Sequence, residues 1–378
     1  MEQEAGAPVA DACLPDNQAS GDAAPLGIGA AHWAYIRQQR RHRATCSTTT
    51  CPTWAEKNVR VLFVVQPGER NTMDQRHIEY SLRGLQAGQY GDRIAASPET
   101  GAFIEGPVWS MRASLADIHR EGTIDPATGA LLFRGFEISV VYFRAGYSPN
   151  DYPTEAEWAA RRLMNRSTAV ECPDPAFHLA GLKKAQQVWC EAGVVERLLA
   201  SSRSYVQADG SPDVAAATAA AQALRQVFAL QHGLDSPEAT AALERDAAKY
   251  AAAESLCDDG PGDYVLKPQR EGGGNNAHGA GARTTAASLP PSEKPGWILM
   301  EKIAAPHRPS VFMRHCEVLP VSETICELGI YGVMLVDEST NQVFVNRPSG
   351  YLARTKPATS GEGGVASGFS CLDSVELI

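Results

Sequence analysis

The stretch that most constrains this chain is Tyr264-Val-Leu-Lys267-Pro-Gln-Arg-Glu271-Gly272-Gly273-Gly274-Asn275-Asn276. A short apolar run ends in a lysine and a proline, and an arginine–glutamate pair leads into three glycines and two asparagines. The apolar run reads as a buried strand that Pro268 stops. Three consecutive glycines leave a backbone with almost no steric restriction, able to close over a ligand and point bare N–H groups at it. Lys267 at the strand end can pair with phosphate oxygens, the Glu271 carboxylate can hold Mg²⁺, and the loop can act as a lid. Those parts could serve a nucleoside triphosphate. On composition alone they also make a surface turn between a strand and a polar loop.

The totals narrow the field. A chain of 378 residues is long enough for two domains with full hydrophobic cores. Hydrophobic residues at 44% and charged residues at 21% describe a globular protein. The net charge of −10 argues against nucleic acid or an anionic membrane as the main partner. No window approaches a membrane-spanning helix, and the acidic, Ala-rich start lacks the parts of a secretory signal. Nine scattered cysteines without a disulfide-like rhythm fit a reducing cytoplasm. Cys46 and Cys51, near His42, lack the second pair that a zinc site requires.

In chain order, residues 1 to about 25 carry no periodicity and read as disordered. Leu26 to Ile36 has helical spacing, and the Ser/Thr tract at 47–50 with Pro52 is a linker. Val59 to Val65 reads as a buried strand. A polar turn with Glu69, Arg70 and Asn71 follows, then a helix from about Asp74 with Ile78, Leu82 and Leu85 on one face. This puts the polar turn at a strand's C-terminal edge, where ligands sit in open α/β sheets. Residues 91–110 read as an irregular insertion. Ala130 to Arg134 and Glu137 to Phe143 make two strands across a turn at Gly135. Thr154 with Glu157 forms a capping box, and Asp174 with Pro175 starts another helix that continues through Lys183 and Lys184. The Ala-rich region from about 200 to 256 is helical, with Ser211-Pro212 and Ser236-Pro237 as starts. Trp297 to Ile303 is a buried strand turning outward. Thr324 to Val336 is the most apolar strand, and a lone carboxylate there, Glu327, is costly to bury unless paired.

KPQREGGGNN after a strand resembles the glycine-rich loop of the eukaryotic-type glutathione synthetases, members of the ATP-grasp class of ligases. Further stretches match in the family's order. Glu69-Arg70-Asn71 with Asp74-Gln75 is similar to the family's turn for γ-glutamylcysteine. The resemblance implies that Arg70, Asn71 and Gln75 hold the dipeptide's carboxylates and amide, with Glu69 in the same patch. Tyr142-Phe-Arg144-Ala-Gly-Tyr147 is similar to a second dipeptide turn, Y-F-R-D-G-Y, with Arg144 and Tyr147 retained and Ala145 in the acidic position. L-A-G-x-K-K-x-Q-Q implies Lys183 as a nucleotide-phosphate lysine. Met300-Glu301-Lys302-Ile303 matches the family's adenine hinge, and Glu327 its nucleotide contact. Arg354-Thr-Lys356 implies an arginine on substrate carboxylate and a lysine on ATP. Glu362 stands where the family often has Asp, and Val365-Ala366 matches the loop over the glycine site. Lys267, Gly272, Gly273, Gly274, Asn275, Asn276 and His278, the last in place of a common tyrosine, complete the implied ATP set. Arg354 and Lys267 would be catalytic.

The implied fold is α/β, an ATP-grasp-like nucleotide-binding half at 182–378 plus a Rossmann-like parallel α/β substrate domain at 58–181. Residues 1–57 would be a disordered tail, short helix and linker. The implied reaction uses ATP and Mg²⁺ to ligate γ-glutamylcysteine and glycine through an acyl phosphate. The expected protein is a cytoplasmic homodimer with small-molecule partners, binding neither nucleic acid nor membrane. One departure bears on activity. Family members carry an earlier segment with a Glu-x-Asn pair of Mg²⁺ ligands. Here the two Glu-x-Asn matches, Glu56–Asn58 and Glu69–Asn71, fall in a linker and in the substrate turn, leaving Glu271 as the metal carboxylate. The chain is therefore expected to be a shortened synthetase that binds ATP weakly and forms little product alone, with an exposed apolar surface. The alternative is a non-catalytic ATP- or glutathione-binding remnant that acts as a regulator or partner subunit.

Overall fold

The computed structural model describes residues 27–32, 34–36, 38, 58–69, 71–84, 108–202, 204–207, 209–252, 263–269, 275–314, 317–318, 320, 322–337, 339–340, 342–361, 363–365 and 368–374. The expected tail and linker, Leu85 and most of the 91–110 insertion lie outside these residues. Three antiparallel or mixed sheets carry the fold, with a small two-stranded pair beside them.

The first sheet is built around β1 (Val59–Val64), whose apolar run is buried on both faces. β1 lies parallel to β2 (Ser110–Ala113) on one side and to β5 (Phe136–Phe143) on the other. The first half of the other edge of β5 is antiparallel to β4 (Leu131–Phe133), which pairs with β3 (Gly122–Ile124). The second half takes β6 (Val170–Cys172) in parallel. The sheet is thus mixed, where the sequence reading expected a parallel one. The turn between β4 and β5 uses Arg134 and Gly135, both at positive φ (49° and 79°), as a two-residue hairpin requires. β2 corrects the reading of 91–110 as irregular throughout, since Ser110 already belongs to the strand.

Alternate residues of β1 feed two cores. Val61 and Phe63 face α1 (helical turns within 27–38) and α2 (Thr72–Gly84), packing with Ile28, Tyr35, Ile36, Ile78 and Leu82. Leu62 and Val64 face α3 (Leu115–Glu121) and α4 (Glu155–Asn165), packing with Ile118, Ala160 and Met164. The expected capping box at Thr154 and Glu157 opens α4.

Next come α5 (Pro175–Ala180) and α6 (Lys183–Cys190), separate helices because the chain breaks at Gly181 and Leu182. The sequence reading ran them together. α7 (Val194–Ala200) and α8 (Val214–Val227) follow, α8 opening two residues past Pro212 with Asp213 as its cap. The second sheet orders β7 (Gln231–Gly233), β10 (Trp297–Glu301), β8 (Tyr264–Pro268) and β9 (Ala277–His278), all antiparallel. α9 (Pro237–Ala252) and α10 (Gly279–Ser288) cover one face, through Ala239, Ala242, Ala282, Ala286, Leu266 and Leu299.

The third sheet is β11 (Arg308–Ser310), β14 (Ser322–Asp337), β15 (Gln342–Pro357) and β16 (Cys371–Asp373). β12 (Met313–Arg314) and β13 (Glu317–Val318) pair separately. β14 and β15 form one hairpin of 16-residue strands. Near its turn, Val333 meets Gly27 and Leu335 packs on the first core. Leu328, Ile330 and Met334 stand exposed on the hairpin. Among the described residues, no helix is long and apolar enough to cross a membrane.

A buried polar contact ties α1 to the first sheet. Ser139 donates its hydroxyl to the Arg60 carbonyl at 3.1 Å, so His32 Nδ1, 2.6 Å from Ser139 Oγ, is the protonated nitrogen of a neutral ring. Burial, with the Arg60 guanidinium nearby, lowers the His32 pKa from 6.5 to about 4. The unfolded chain therefore takes the proton first. The contribution is whole above pH 6.5 and is lost as pH falls toward 4. Going from pH 7 to pH 5 should cost about 2 kcal/mol of stability, at about 1.4 kcal/mol per pH unit. Urea titrations at both pH values should show a smaller difference for His32→Asn.

Candidate functional site

Two groups of the expected residues gather, one on each of the first two sheets. At the C-terminal ends of β1 and β5, the Glu69 carboxylate accepts from the Asn71 N–H at 2.7 Å and from Gln75 Nε2 at 2.9 Å. Asn71 Nδ2 also reaches Asp74 at 3.4 Å, and Arg144 is ion-paired with Asp74 at 2.6 Å. Glu69, Asn71, Asp74, Gln75 and Arg144 therefore form one polar cluster. Burial raises the pKa of the neighbouring Tyr142 phenol, which keeps it protonated. Tyr147 is exposed at the rim, and Ala145 is buried in the second core. Gly146 turns the chain with φ of 88°, and a Cβ there would lie 2.9 Å from the Tyr152 hydroxyl. Arg70 lies outside the described residues.

Gln75, which the resemblance gives as a dipeptide contact, is engaged within the protein. It is fully buried, with one amide end on Glu69 and the other on Arg112. Arg112 in turn pairs with the buried Glu79 at 2.8 Å. This Glu69–Gln75–Arg112–Glu79 chain fixes the orientation of Glu69. Arg112 and Glu79 were missed from sequence. The signal lay in the alternation of Val108 to Ala113, which places Arg112 on a strand beside β1.

The second group follows from strand register, because directly paired residues of an antiparallel sheet project from the same face. Gln231, Met300, Val265 and His278 form one row across β7, β10, β8 and β9. Gly233, Ile298 and Lys267 form the next row. This face lies opposite α9 and α10. α6 packs over its β7–β10 end, with the Lys184 N–H donating to Gln269 Oε1 at 3.0 Å. Lys183 is the first residue of α6. At the β9 end, a Cβ on Gly361 would lie 3.5 Å from His278 Nε2, so the turn after β15 is laid against that ring. Lys356 donates to the Ser360 carbonyl at 2.5 Å, holding the same turn.

Glu301 ends β10. Its N–H donates to the Leu230 carbonyl at 2.8 Å and its carboxylate accepts from the Leu230 N–H at 3.2 Å, clamping the entry to β7. The Lys302 N–H donates to the Asp263 carbonyl, and Ile303 is exposed beyond the strand. Glu327 and Arg354 are cross-strand partners joined by an ion pair. Glu327 is exposed, so the concern about burying a lone carboxylate in β14 is removed. Asn275 is exposed and Asn276 half-buried ahead of β9. Val365 opens a turn closed by the Gly368 N–H at 2.9 Å. Gly272, Gly273, Gly274, Glu271, Glu362 and Ala366 lie outside the described residues. Among the described residues, no three carboxylate, histidine or cysteine side chains converge on a metal position. Mg²⁺ bound with a nucleotide commonly uses one or two carboxylates together with phosphate oxygens and water.

Residues 2–377 match the family model described as eukaryotic glutathione synthase, ATP binding domain. The chain belongs to that family. It is 38% identical over 322 residues to the chloroplastic glutathione synthetase of Arabidopsis thaliana, covering 84% of this chain and 50% of that one. It is 36% identical to the Homo sapiens glutathione synthetase over 322 residues, 85% of this chain and 57% of that one. The chain thus spans about half the length of the curated relatives it matches. The apo structure of a glutathione synthetase-like effector from Globodera pallida superposes with a TM-score of 0.52 at 17% identity, over 91% of this chain and 60% of that chain. That likeness extends the family's fold to this chain.

The buried Gln75 amide and the exposed Glu327–Arg354 pair should respond differently to substitution. Gln75→Leu removes one hydrogen-bond partner each from Arg112 and Glu69 at a buried position and should cost about 1–3 kcal/mol. Glu327→Gln removes one partner of an exposed pair and should cost about 0–1 kcal/mol. Paired urea denaturation curves check both, and equal losses would contradict this placement.

Proposed function

We propose that the chain carries the ATP-dependent ligation of γ-glutamylcysteine to glycine. The observation behind this reading is the sheet face that holds Met300, Val265, Lys267 and His278 together, with the Gly361 turn against one end. Met300 and Val265 offer apolar surface for a planar base. Lys267 places a cation one row further along, where phosphates would follow. In this reading Lys183 and Lys356 add charge, Met300 to Ile303 and Glu327 border the nucleotide, and residues 271–276 close over it. Asn71, Arg144 and Tyr147 meet the dipeptide, with Glu69 orienting Asn71. Arg354 exchanges Glu327 for a substrate carboxylate, and Val365 and Ala366 border glycine. Units at 58–181 and 182–378 would divide these duties between dipeptide and nucleotide.

The chemistry needs no protein nucleophile. The dipeptide's terminal carboxylate attacks the γ-phosphorus, the bond to the bridging oxygen breaks, and ADP leaves with its electron pair. Glycine's amine then adds to the acyl phosphate's carbonyl carbon, and phosphate departs. What the residues supply is alignment and cationic stabilisation of the developing charge in a closed site.

The decisive assay is ADP release that requires both γ-glutamylcysteine and glycine, with glutathione identified by mass. Product that appears only when the earlier segment of a relative is supplied would support the shortened-synthetase reading, and ATP binding without product even then would favour the non-catalytic one. Lys267→Ala should weaken ATP binding by about ten-fold or more, since a charge-assisted contact is lost. Calorimetric titration reads this directly, and an unchanged affinity would remove Lys267 from the site. In competition, glycine should be preferred over β-alanine by roughly ten-fold or more, the worth of one methylene in a small pocket. A β-alanine preference would reject the assignment of Val365 and Ala366.

A further inference from the structure

Two turns carry the proposed dipeptide contacts, and one carboxylate bonds to both. The first is Gln66-Pro-Gly-Glu69, closed by the Glu69 N–H donating to the Gln66 carbonyl at 3.3 Å. Proline at its second position and Gly68 at φ of 69° at its third suit a type II turn. It ends on Glu69, which accepts from Asn71 and Gln75. The second turn carries Arg144 and Tyr147 and reverses at Gly146. Ladder pairing of β1 with β5 closes with the Arg144 N–H donating to the Val64 carbonyl, and beyond it the turns need another tie. The Arg144–Asp74 ion pair spans them, but it engages the guanidinium that a ligand carboxylate would take.

Asp151 supplies that tie from the single helical turn Pro149–Asp151, just past the second turn. Its Oδ2 accepts from the Gly146 N–H at 3.0 Å and from the Ser148 N–H at 3.2 Å. Its Oδ1 accepts from Gln66 Nε2 at 2.9 Å. An ionised carboxylate only accepts, and its two oxygens have lone pairs for all three donors. Two of the three are backbone groups, so the carboxylate holds the path of the chain and not merely one side-chain rotamer. The next residue closes on the same point. Tyr152 donates its hydroxyl to the Gly146 carbonyl at 2.8 Å, and its ring stacks on Trp158 with centroids 4.1 Å apart. Gly146, which is buried between Arg144 and Tyr147, is therefore held at both its N–H and its carbonyl.

We propose that Asp151 is a positioning residue for the dipeptide: its carboxylate sets the spacing between the turn that ends on Glu69 and the turn that carries Arg144 and Tyr147. The assignment rests on the dipeptide reading above. Asp151 acts through its hydrogen bonds to the protein, so the role belongs to its acceptors and not to its charge. Asparagine can keep it: the amide oxygen takes the two backbone N–H groups, and the amide nitrogen donates to Gln66 once that side chain turns its own oxygen inward. Alanine keeps none of these bonds and leaves the buried Gly146 N–H without its partner.

The test is calorimetric binding of γ-glutamylcysteine and, separately, of ATP with Mg²⁺, to the full 378-residue chain and its variants. Asp151→Ala, with folding checked by circular dichroism, should weaken dipeptide binding by about ten-fold or more and leave ATP affinity within about two-fold. Asp151→Asn should stay within about three-fold of the unaltered chain for both ligands. Gln66→Leu removes the bridge and spares the backbone bonds, so it should weaken dipeptide binding by a smaller factor. Added to Asp151→Ala it should cost nothing further, because the two residues share one bond. Unchanged dipeptide affinity in folded Asp151→Ala overturns the proposal. So does a matching loss of ATP affinity, the mark of a merely structural role, and so does an asparagine variant as poor as the alanine one. If Asp151→Ala does not fold, Gln66→Leu decides, and unchanged dipeptide affinity there overturns the proposal. Failure of the unaltered chain to bind the dipeptide defeats the dipeptide reading, and this proposal with it. Dipeptide binding that is indifferent to Asp151 and Gln66 defeats the proposal alone.

Discussion

The parallel pairing of β1 with β5 is the constraint on which the first half of the structure depends. A strand in the middle of a sheet, with helices on both faces, must be apolar at nearly every position. β1 meets that demand with Val59, Val61, Leu62, Phe63 and Val64. Once both faces are filled, polar groups can gather only where the strands end. Glu69, Asn71 and Arg144 are placed there by topology, with the Arg144 N–H donating to the Val64 carbonyl at 2.8 Å. The cluster needs no special loop conformation beyond the turn at Gly146.

The second sheet solves a different problem. Its helices α9 and α10 cover one face, through alanines small enough for close approach, and α6 packs on part of the other. The row from Gln231 to His278 crosses four strands, so its side chains come from four separate parts of the chain. Lys267 and Met300 are 33 positions apart in sequence, yet they stand in adjacent rows on neighbouring strands. Arg354 and Glu327 pair across β14 and β15 at an exposed position, outside any core.

How much of this the sequence disclosed depended on how local each feature is. β1, the Gly135 hairpin and the Thr154–Glu157 cap were legible, since each is written in a few consecutive residues. The helix from Asp174 was overextended because Gly181 and Leu182 interrupt it without proline. β7 was invisible, being three residues with a central histidine and a terminal glycine that become a strand only against β10. Arg112 was missed for the same reason: its importance comes from Gln75 and Glu79, across the sheet. Glu327 was placed in the right strand with the wrong surroundings, because apolar composition does not say which strands are covered. The resemblance supplied the expected nucleotide and dipeptide residues. Spatial grouping of Lys267, Met300 and His278 required register.

The β14–β15 hairpin has one more property. It is seated in the first core at Val333 and Leu335, and at its other end it continues into the turn against His278. Sixteen residues at about 3.4 Å each make a ribbon roughly 50 Å long, stiffened along its length by ladder bonds. A beam supported at both ends converts rotation into displacement: a tilt of 1° at one seat moves the other by about 1 Å over that span. One strand pair thus joins the contact of Val333 with Gly27 to the contact of the Gly361 turn with His278, its register shifting between Ile330 and Gly332 and between Leu335 and Val336.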